Sequence, residues 1–430
     1  MRMIVLAAAL TTANAPAAHA VPALAATVEV HAQAARIPGL VAVSFDAGGA
    51  QTRVSFGDCA GRPISADTSL LIGSVSKTLT AQLILRLAAT GRIALGAPAA
   101  AYVPGLAPDI TVTDLLSHRS GYTRAQGMRF DPDAPIEKLK PAGVRGTYAY
   151  SNLNYVLLGK IAERVTSTSF DRALADHVAA PAGMTRTVAT GAGGAACGHA
   201  IVFGVSIPRA ELPWPAWSTP AGFVTTTGGD MARFGASLLR RLRGGEPAER
   251  MLIGWHRATI GGEDVWSHSG ATGSFRATIV LIPARDRGFV LIADMGGWIV
   301  DDPIDRLAVA LVASEQGRPS PPPRAFPWER LARFAMLILL FVECWRLRRR
   351  VRRETESGLR PSKVRLAVAA AVSLAVPAIV IRFAGLTVAD FWRLAPDVLV
   401  FVCVAPALAA SRQIFTQGMT RHEQRWPNWN

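Results

Sequence analysis

Cysteine is scarce in this chain: four in 430 residues, too few for a disulfide framework. The cysteines form no C-x-x-C pair, and His118, His177, His199 and His256 share no H-x-x-x-H spacing. Neither a metal site nor a cofactor is therefore expected. Cys59 and Cys197 can pair only in an oxidising compartment, and two free, buried thiols are the simpler expectation. The glycine-rich stretch Gly191–Gly194 lacks the lysine and the strand-to-helix context of a phosphate loop, and reads as a turn. No internal repeat is visible.

Acidic residues are also in short supply, 31 Asp+Glu against 46 Lys+Arg, for a net charge of +15. Such an excess suggests a nucleic-acid partner until it is divided along the chain. Residues 21–325 carry 29 basic and 24 acidic residues, a net of +5, whereas 326–430 carry 16 and 7, a net of +9. The excess sits mainly in Arg346–Arg353, between apolar runs, which marks membrane topology rather than nucleic-acid binding.

Long apolar runs are absent until the last quarter. The N-terminus reads as a secretory signal over 1–20, with Arg2, apolar Ile4–Leu10 and the small-x-small site Ala18-His19-Ala20. No cysteine follows that site, so a lipoprotein anchor is not supported. A soluble unit over 21–316 is expected next, then a Pro-rich linker over 317–327. Three apolar runs, Leu331–Trp345, Leu366–Ile381 and Leu394–Ala410, predict three transmembrane helices within 328–411, at about 328–347, 364–381 and 394–411. The first is the weakest, because it contains Arg333 and Glu343. The nine Lys/Arg of Arg346–Arg365 place that loop and the tail 412–430 in the cytoplasm by the positive-inside rule, leaving the N-terminal unit outside. An amphipathic first helix with only two spans is the alternative. Asp397, alone in the third run, reads as solvated or helix-capping. Membrane lipid is an expected partner on this reading, nucleic acid is not, and the oligomeric state is left open.

Within 21–316 the pattern runs helix (Glu29–Arg36), two strands (Leu40–Asp46 and Thr52–Phe56), a long helical region, three strands (Val265–Gly270, Phe275–Ile282 and Gly288–Asp294) and a closing helix (Pro303–Gln316). The helical region comprises Ser74–Thr90, Thr113–His118, Asn154–Thr166, Phe170–Ala180 and Thr227–Arg243. This is an α+β plan: an antiparallel sheet with a helical insertion, its two faces to be covered by the terminal helices.

Chemistry enters with Ser74-Val75-Ser76-Lys77 at the start of the helix Ser74–Thr90. A serine and a lysine three apart share a helix face, one turn apart, so an amine can take the hydroxyl proton and make a nucleophile. Tyr150-Ser151-Asn152 and His268-Ser269-Gly270 follow in that order. With Leu115–Gly121, Pro181–Met184 and Thr225–Phe234, these motifs resemble the class C β-lactamases and penicillin-binding-protein-like serine hydrolases over about Ile37 to Ala313. The resemblance implies a β-lactamase/transpeptidase-like fold, an antiparallel sheet flanked by helices with a helical subdomain. It also implies an acyl-enzyme on Ser74, with proton traffic through Lys77 and Tyr150, either of which is a candidate base.

Asn152, His268, Ser269, Gly270 and Ala271 would bind substrate, and the backbone N–H groups of Ser74 and Ala271 would hold the oxyanion. The third motif departs from the K-T-G of the best-known members. An imidazole near pH 7 is mostly neutral, which weakens anchoring of a substrate carboxylate. The expected substrate is a small molecule or peptide carrying an amide or ester: a β-lactam, a D-amino-acid peptide or a small ester. The expected location is the outer (periplasmic) face of a bacterial inner membrane. A membrane-bound penicillin or peptide sensor without efficient turnover is the alternative function. His118 is expected to pack its loop, and Trp214 and Trp217 either line the cleft mouth or brace a Pro/Trp loop.

Overall fold

The computed structural model describes residues 17–59, 61–128, 139–190, 198–209, 215–297, 302–323 and 328–357, and parts of 371–408. The hairpin of β1 (Gly39–Phe45) and β2 (Gln51–Cys59), with the two-residue β3 (Arg62–Pro63), begins the main sheet. Four short strands pair up elsewhere. β4 (Leu70–Leu71) pairs with β7 (Thr225–Thr226), and β5 (His199–Val202) forms a hairpin with β6 (Val205–Pro208). The chain then returns as a meander, β8 (His256–Ile260), β9 (Glu263–Ala271), β10 (Arg276–Ile282) and β11 (Arg287–Ala293), and β12 (Met295–Gly296) lies parallel to β5. The main sheet is antiparallel in the order β3-β2-β1-β11-β10-β9-β8.

Pairing the first hairpin with the last strand, Leu40 opposite Ala293 through Phe45 opposite Gly288, makes β1 central. All seven of its residues are buried, as a strand covered on both faces requires. Alternate residues divide between two cores. Leu40, Ala42, Val280, Ile282 and Leu291 pack with Val28 of α1 (Ala17–Ala35) and with Ile304, Leu307 and Leu311 of α11 (Pro303–Glu315). Each such leucine, isoleucine or valine contributes about 1.5–3 kcal/mol on burial. Val41, Val43, Phe45, Ile279, Leu281 and Ile292 face the helical region instead. Both terminal helices therefore lie on one face of the sheet, a correction to the expectation that they cover both. The second face is covered by α9 (Gly228–Arg243).

The helical region is built around α2 (Ser76–Ala89), buried at eleven of its positions. It runs through α3 (Val112–Leu116), capped reciprocally by Thr111 and Asp114, and α4 (Arg124–Met128) to α5 (Asn152–Thr166). α6 (Phe170–Leu174) continues through a π turn into α7 (Ala180–Ala182), and α8 (Thr219–Gly222) and α10 (Ala248–Met251) complete it. β8 and the β5–β6 hairpin are absent from the sequence expectation. β5 and β6 are only four residues each, too short for alternation to identify them.

The C-terminal expectation of three spans finds no support among the described residues. α12 (Trp328–Ser357) contains the first expected span, but among the described residues no helix is long and apolar enough to cross a membrane. Arg333 and Glu343 interrupt the apolar run, and its arginine-rich end follows at once. The expected span 364–381 falls largely outside the described residues, and of 394–411 the part 396–408 is helical. Asp397 is not solvated. It is 0 % exposed, both its oxygens lie 2.8–2.9 Å from Arg333 Nη1, and it accepts the Phe203 N–H of the β5–β6 turn. Residues 1–16, Cys197, Gly191–Gly194 and Trp214, like the side chain of Cys59, lie outside the described residues. Trp217 packs against the main core.

Candidate active site

Ser74 lies in a single 3-10 turn, Gly73–Val75, that leads into α2. The turn is pressed against the end of β9. Gly73 has φ +52°, and a Cβ on it would lie 2.3 Å from the Ala271 nitrogen; a Cβ on Gly270 would lie 2.1 Å from the Ile72 carbonyl oxygen and 2.7 Å from the Ser74 nitrogen. Only glycine fits at these two positions. Their contact brings the backbones of Ser74 and Ala271 together across 197 residues of sequence. Ser74 remains partly exposed while its neighbours Val75, Ser76 and Lys77 are buried. Its place before a fourteen-residue helix adds a positive potential that favours developing negative charge.

Lys77 is 0 % exposed. Its Nζ lies 3.0 Å from Ser74 Oγ and 2.8 Å from Asn152 Oδ1, and it also donates to the Ala221 carbonyl of α8. The Tyr150 and Tyr155 rings lie 4.9 and 5.7 Å away. No carboxylate pairs with it among the described residues. Burial holds the ammonium well below the usual lysine range, and the charge of Arg124 adds to this. A neutral amine has two N–H groups and one lone pair. With Asn152 and Ala221 accepting the two hydrogens, the lone pair is left for the Ser74 hydroxyl.

Tyr150 Oη donates to Ser74 Oγ at 2.7 Å. Burial raises its pKa, against smaller opposing effects of the Ser74 hydrogen bond and Arg124, so the phenol keeps its proton near neutral pH. Behind it His118 stacks at 4.6 Å. The His118 Nδ1 accepts the Ser151 N–H at 3.2 Å and faces Asn154 Nδ2 at 3.0 Å, and Ser120 Oγ donates to Asn154 Oδ1 at 2.6 Å. Burial, reinforced by Lys77, pushes the His118 ring down to about 3. His118 thus braces the tyrosine loop as a neutral ring, as the sequence suggests. Asn152 opens α5, with Ser151 as its N-cap. α4 packs on that first turn, where a Cβ on Gly127 would lie 2.8 Å from the Asn152 nitrogen.

The third motif splits across its strand. His268 and Gly270 face the helical region, and Ser269 faces α11. His268 is 3 % exposed, its Nδ1 lies 2.9 Å from its neighbour's carbonyl oxygen, and its ring lies 6.0 Å from that of His256. Burial and then Lys77 push it down to about 3, so it brings no positive charge to the cleft. The structure therefore gathers Ser74, Lys77, Tyr150, Asn152, Gly270 and Ala271 into one site and places His268 against it. It turns the Ser269 hydroxyl away, to Asp305.

Ala221, Arg124, Asn154 and Asp305 were not singled out by sequence. A backbone carbonyl leaves no sequence signal, and the other three are ordinary helix polar residues until the fold sets their neighbours.

A structure titled "A class C beta-lactamase" superposes with TM-score 0.60 at 18% identity, covering 70% of this chain and 98% of that one. The D-alanine carboxypeptidase AmpC from Burkholderia cenocepacia superposes with TM-score 0.56 at 21% identity, covering 68% and 98%. At such identities the likeness is one of fold. Protein flp of Staphylococcus aureus (strain MW2) is 27% identical over 289 residues, covering 58% of this chain and 57% of that protein, so the match spans little more than half the length of this curated relative. The profile of the Beta-lactamase family matches residues 24–314, which include all three motifs, and the chain belongs to that family.

Proposed function

We propose that the protein is a serine hydrolase that cleaves an amide or ester through an acyl-enzyme on Ser74. The observation that carries this reading is a partly exposed hydroxyl within 3.0 Å of a buried amine that has no carboxylate partner among the described residues, and 2.7 Å from a phenol.

Lys77 is the base on this reading, because burial favours its neutral form and keeps Tyr150 protonated. The Ser74 oxygen attacks the carbonyl carbon as its proton passes to Lys77 Nζ. The carbonyl π electrons move to the oxygen, which sits against the Ser74 and Ala271 N–H groups; such donors contribute about 2.7–4 kcal/mol each. Collapse expels the leaving group, which takes the Tyr150 proton, and Tyr150 is reprotonated from Lys77. A water then follows the same route in reverse roles to release the acid and free Ser74. The family's known substrates, small β-lactams and peptides, set the first compounds to try.

Time-resolved intact-mass spectrometry with a fluorescent penicillin and an activated ester tests the reading. Acylation and release with wild type, and no adduct with Ser74→Ala, are expected. A lasting adduct would indicate a sensor. No adduct on Ser74 with any acyl donor would end the reading.

A further inference from the structure

A cleft of about 520 Å³ opens at the end of α2 away from Ser74. Leu85 and Met251 are part of its apolar lining, and Arg86, Arg241 and Arg250 share it with a single acid, Glu246. Between Lys77 and Arg86 the helix rises on the order of 14 Å. No residue of the catalytic site lines this recess.

One of the three arginines is fixed. Arg241 donates to both oxygens of Glu246 at 2.7 Å and to Gln82 Oε1 at 2.6 Å. Gln82, 1 % exposed, donates in turn to the Met251 carbonyl at 2.7 Å. This bridge joins α9, α2 and α10 into one wall.

The other two arginines have no such partners. Arg86 lies one turn beyond Gln82 on the same face of α2. Its guanidinium makes no hydrogen bond or ion pair among the described residues, and its Nε is buried without a partner. Burial and then the charge of Arg241 push its pKa down, with Glu246 opposing. Arg250, exposed on α10, also has no partner among the described residues and acts on Glu246 only through its charge. Because Arg241 already engages both Glu246 oxygens, the lining keeps a positive surplus. Arg86 in the last turn of α2 answers the negative end of the helix. That accounts for one cation there, but not for three sharing an apolar-floored cleft.

We infer that this cleft binds an amphipathic anion, its carboxylate or phosphate held by Arg86 and Arg250 beside Arg241 and its short hydrocarbon arm laid over Leu85 and Met251. Guanidinium forks match such oxyanions bidentately, and a recess of this volume is of small-molecule size. The inference holds whether or not Ser74 is a nucleophile.

The test is calorimetric titration of the full chain carrying Ser74→Ala, so that nothing is turned over, with octanoate, octyl phosphate, inorganic phosphate and octylamine. Octanoate or octyl phosphate is expected to bind one to one, at least about tenfold more tightly than inorganic phosphate or octylamine; which of the two binds better identifies the head group. Arg86→Gln should weaken this binding about tenfold and Arg250→Gln about threefold. Glu246→Gln should tighten it about threefold by removing the competing carboxylate, an effect that a purely structural arginine cluster would not give. Thermal melts confirm that each variant is folded. Where Arg86→Gln is not, Arg86→Lys, which keeps the charge and loses the fork, should cost about threefold. A lack of saturable binding, an affinity indifferent to both arginine substitutions, or inorganic phosphate binding as tightly as octyl phosphate overturns the inference. A diazirine-bearing octanoate should label peptides from 85–95 or 246–251 in the wild type, and labelling confined to the surroundings of Ser74 or to α12 overturns it as well.

Discussion

Among the described residues Lys77 and Arg333 are the buried lysine and arginine, and they are treated in opposite ways. Lys77 lies among Asn152, the Ala221 carbonyl and two tyrosine rings, with no carboxylate beside it among the described residues. Arg333, 6 % exposed, is matched by Asp397, which is fully buried and also held by the Phe203 N–H. A buried charge without a partner gives up its proton, whereas a guanidinium keeps its charge and requires an anion. The first arrangement makes a base. The second makes a joint, tying α12 and the segment around Asp397 to the β5–β6 hairpin.

The contrast is broken most forcefully at the base. Lys77→Met should lower kcat/KM by about a thousandfold, with acylation of Ser74 measured directly, while raising thermal stability by on the order of 1 kcal/mol. The sign follows from linkage. The unfolded lysine binds a proton that the folded one does not, so wild-type stability climbs with pH up to the ordinary lysine pKa of 10.5. Lys77→Met should flatten that climb. Activity should likewise rise with pH through the lowered Lys77 pKa, and a profile that falls as Lys77 deprotonates would remove it as the base.

At the joint, Asp397→Ala removes the carboxylate that faces the buried Arg333, at an expected cost of about 3–5 kcal/mol. Arg333→Met with Asp397→Leu should recover most of it. Limited proteolysis near residue 323 and thermal melts read both, and equal losses in the two variants would mean the pair is not what joins the segments. Tyr150→Phe should cost about a hundredfold in acylation and leave the Lys77 limb of the pH profile in place. The smallest effect near neutral pH is expected at His268→Gln, whose readout is stability in acid. His268 falls from 6.5 to about 3 on folding, so it removes stability as pH drops between those values, by up to about 1.4 kcal/mol per unit. The variant should lose that part of the acid sensitivity.

The main helix and most long strands were legible because their periodicity is long and clean. Leu79, Leu83 and Leu87 recur every four residues, and the alternating Ala277, Ile279 and Leu281 face one core while Val280 and Ile282 face the other. The β5–β6 hairpin was not, since four-residue strands carry no usable period. Which face α1 takes was not legible either, because an amphipathic helix states that it has an apolar side but not what meets it. Asp397 was misread for the same reason: its partner lies 64 residues away, and an isolated acid in an apolar run looks the same whether it is solvated or paired.

The sequence alone determined the reacting groups, since a serine and a lysine one helical turn apart must meet. It also determined that an imidazole stands where a permanent cation would otherwise be. The tertiary structure decided their states. Only the packing of α2 against α5 and α8 strips water from Lys77, and only the alternation of β9 against α11 turns Ser269 toward Asp305. A side chain's identity is local, but its charge depends on everything that surrounds it.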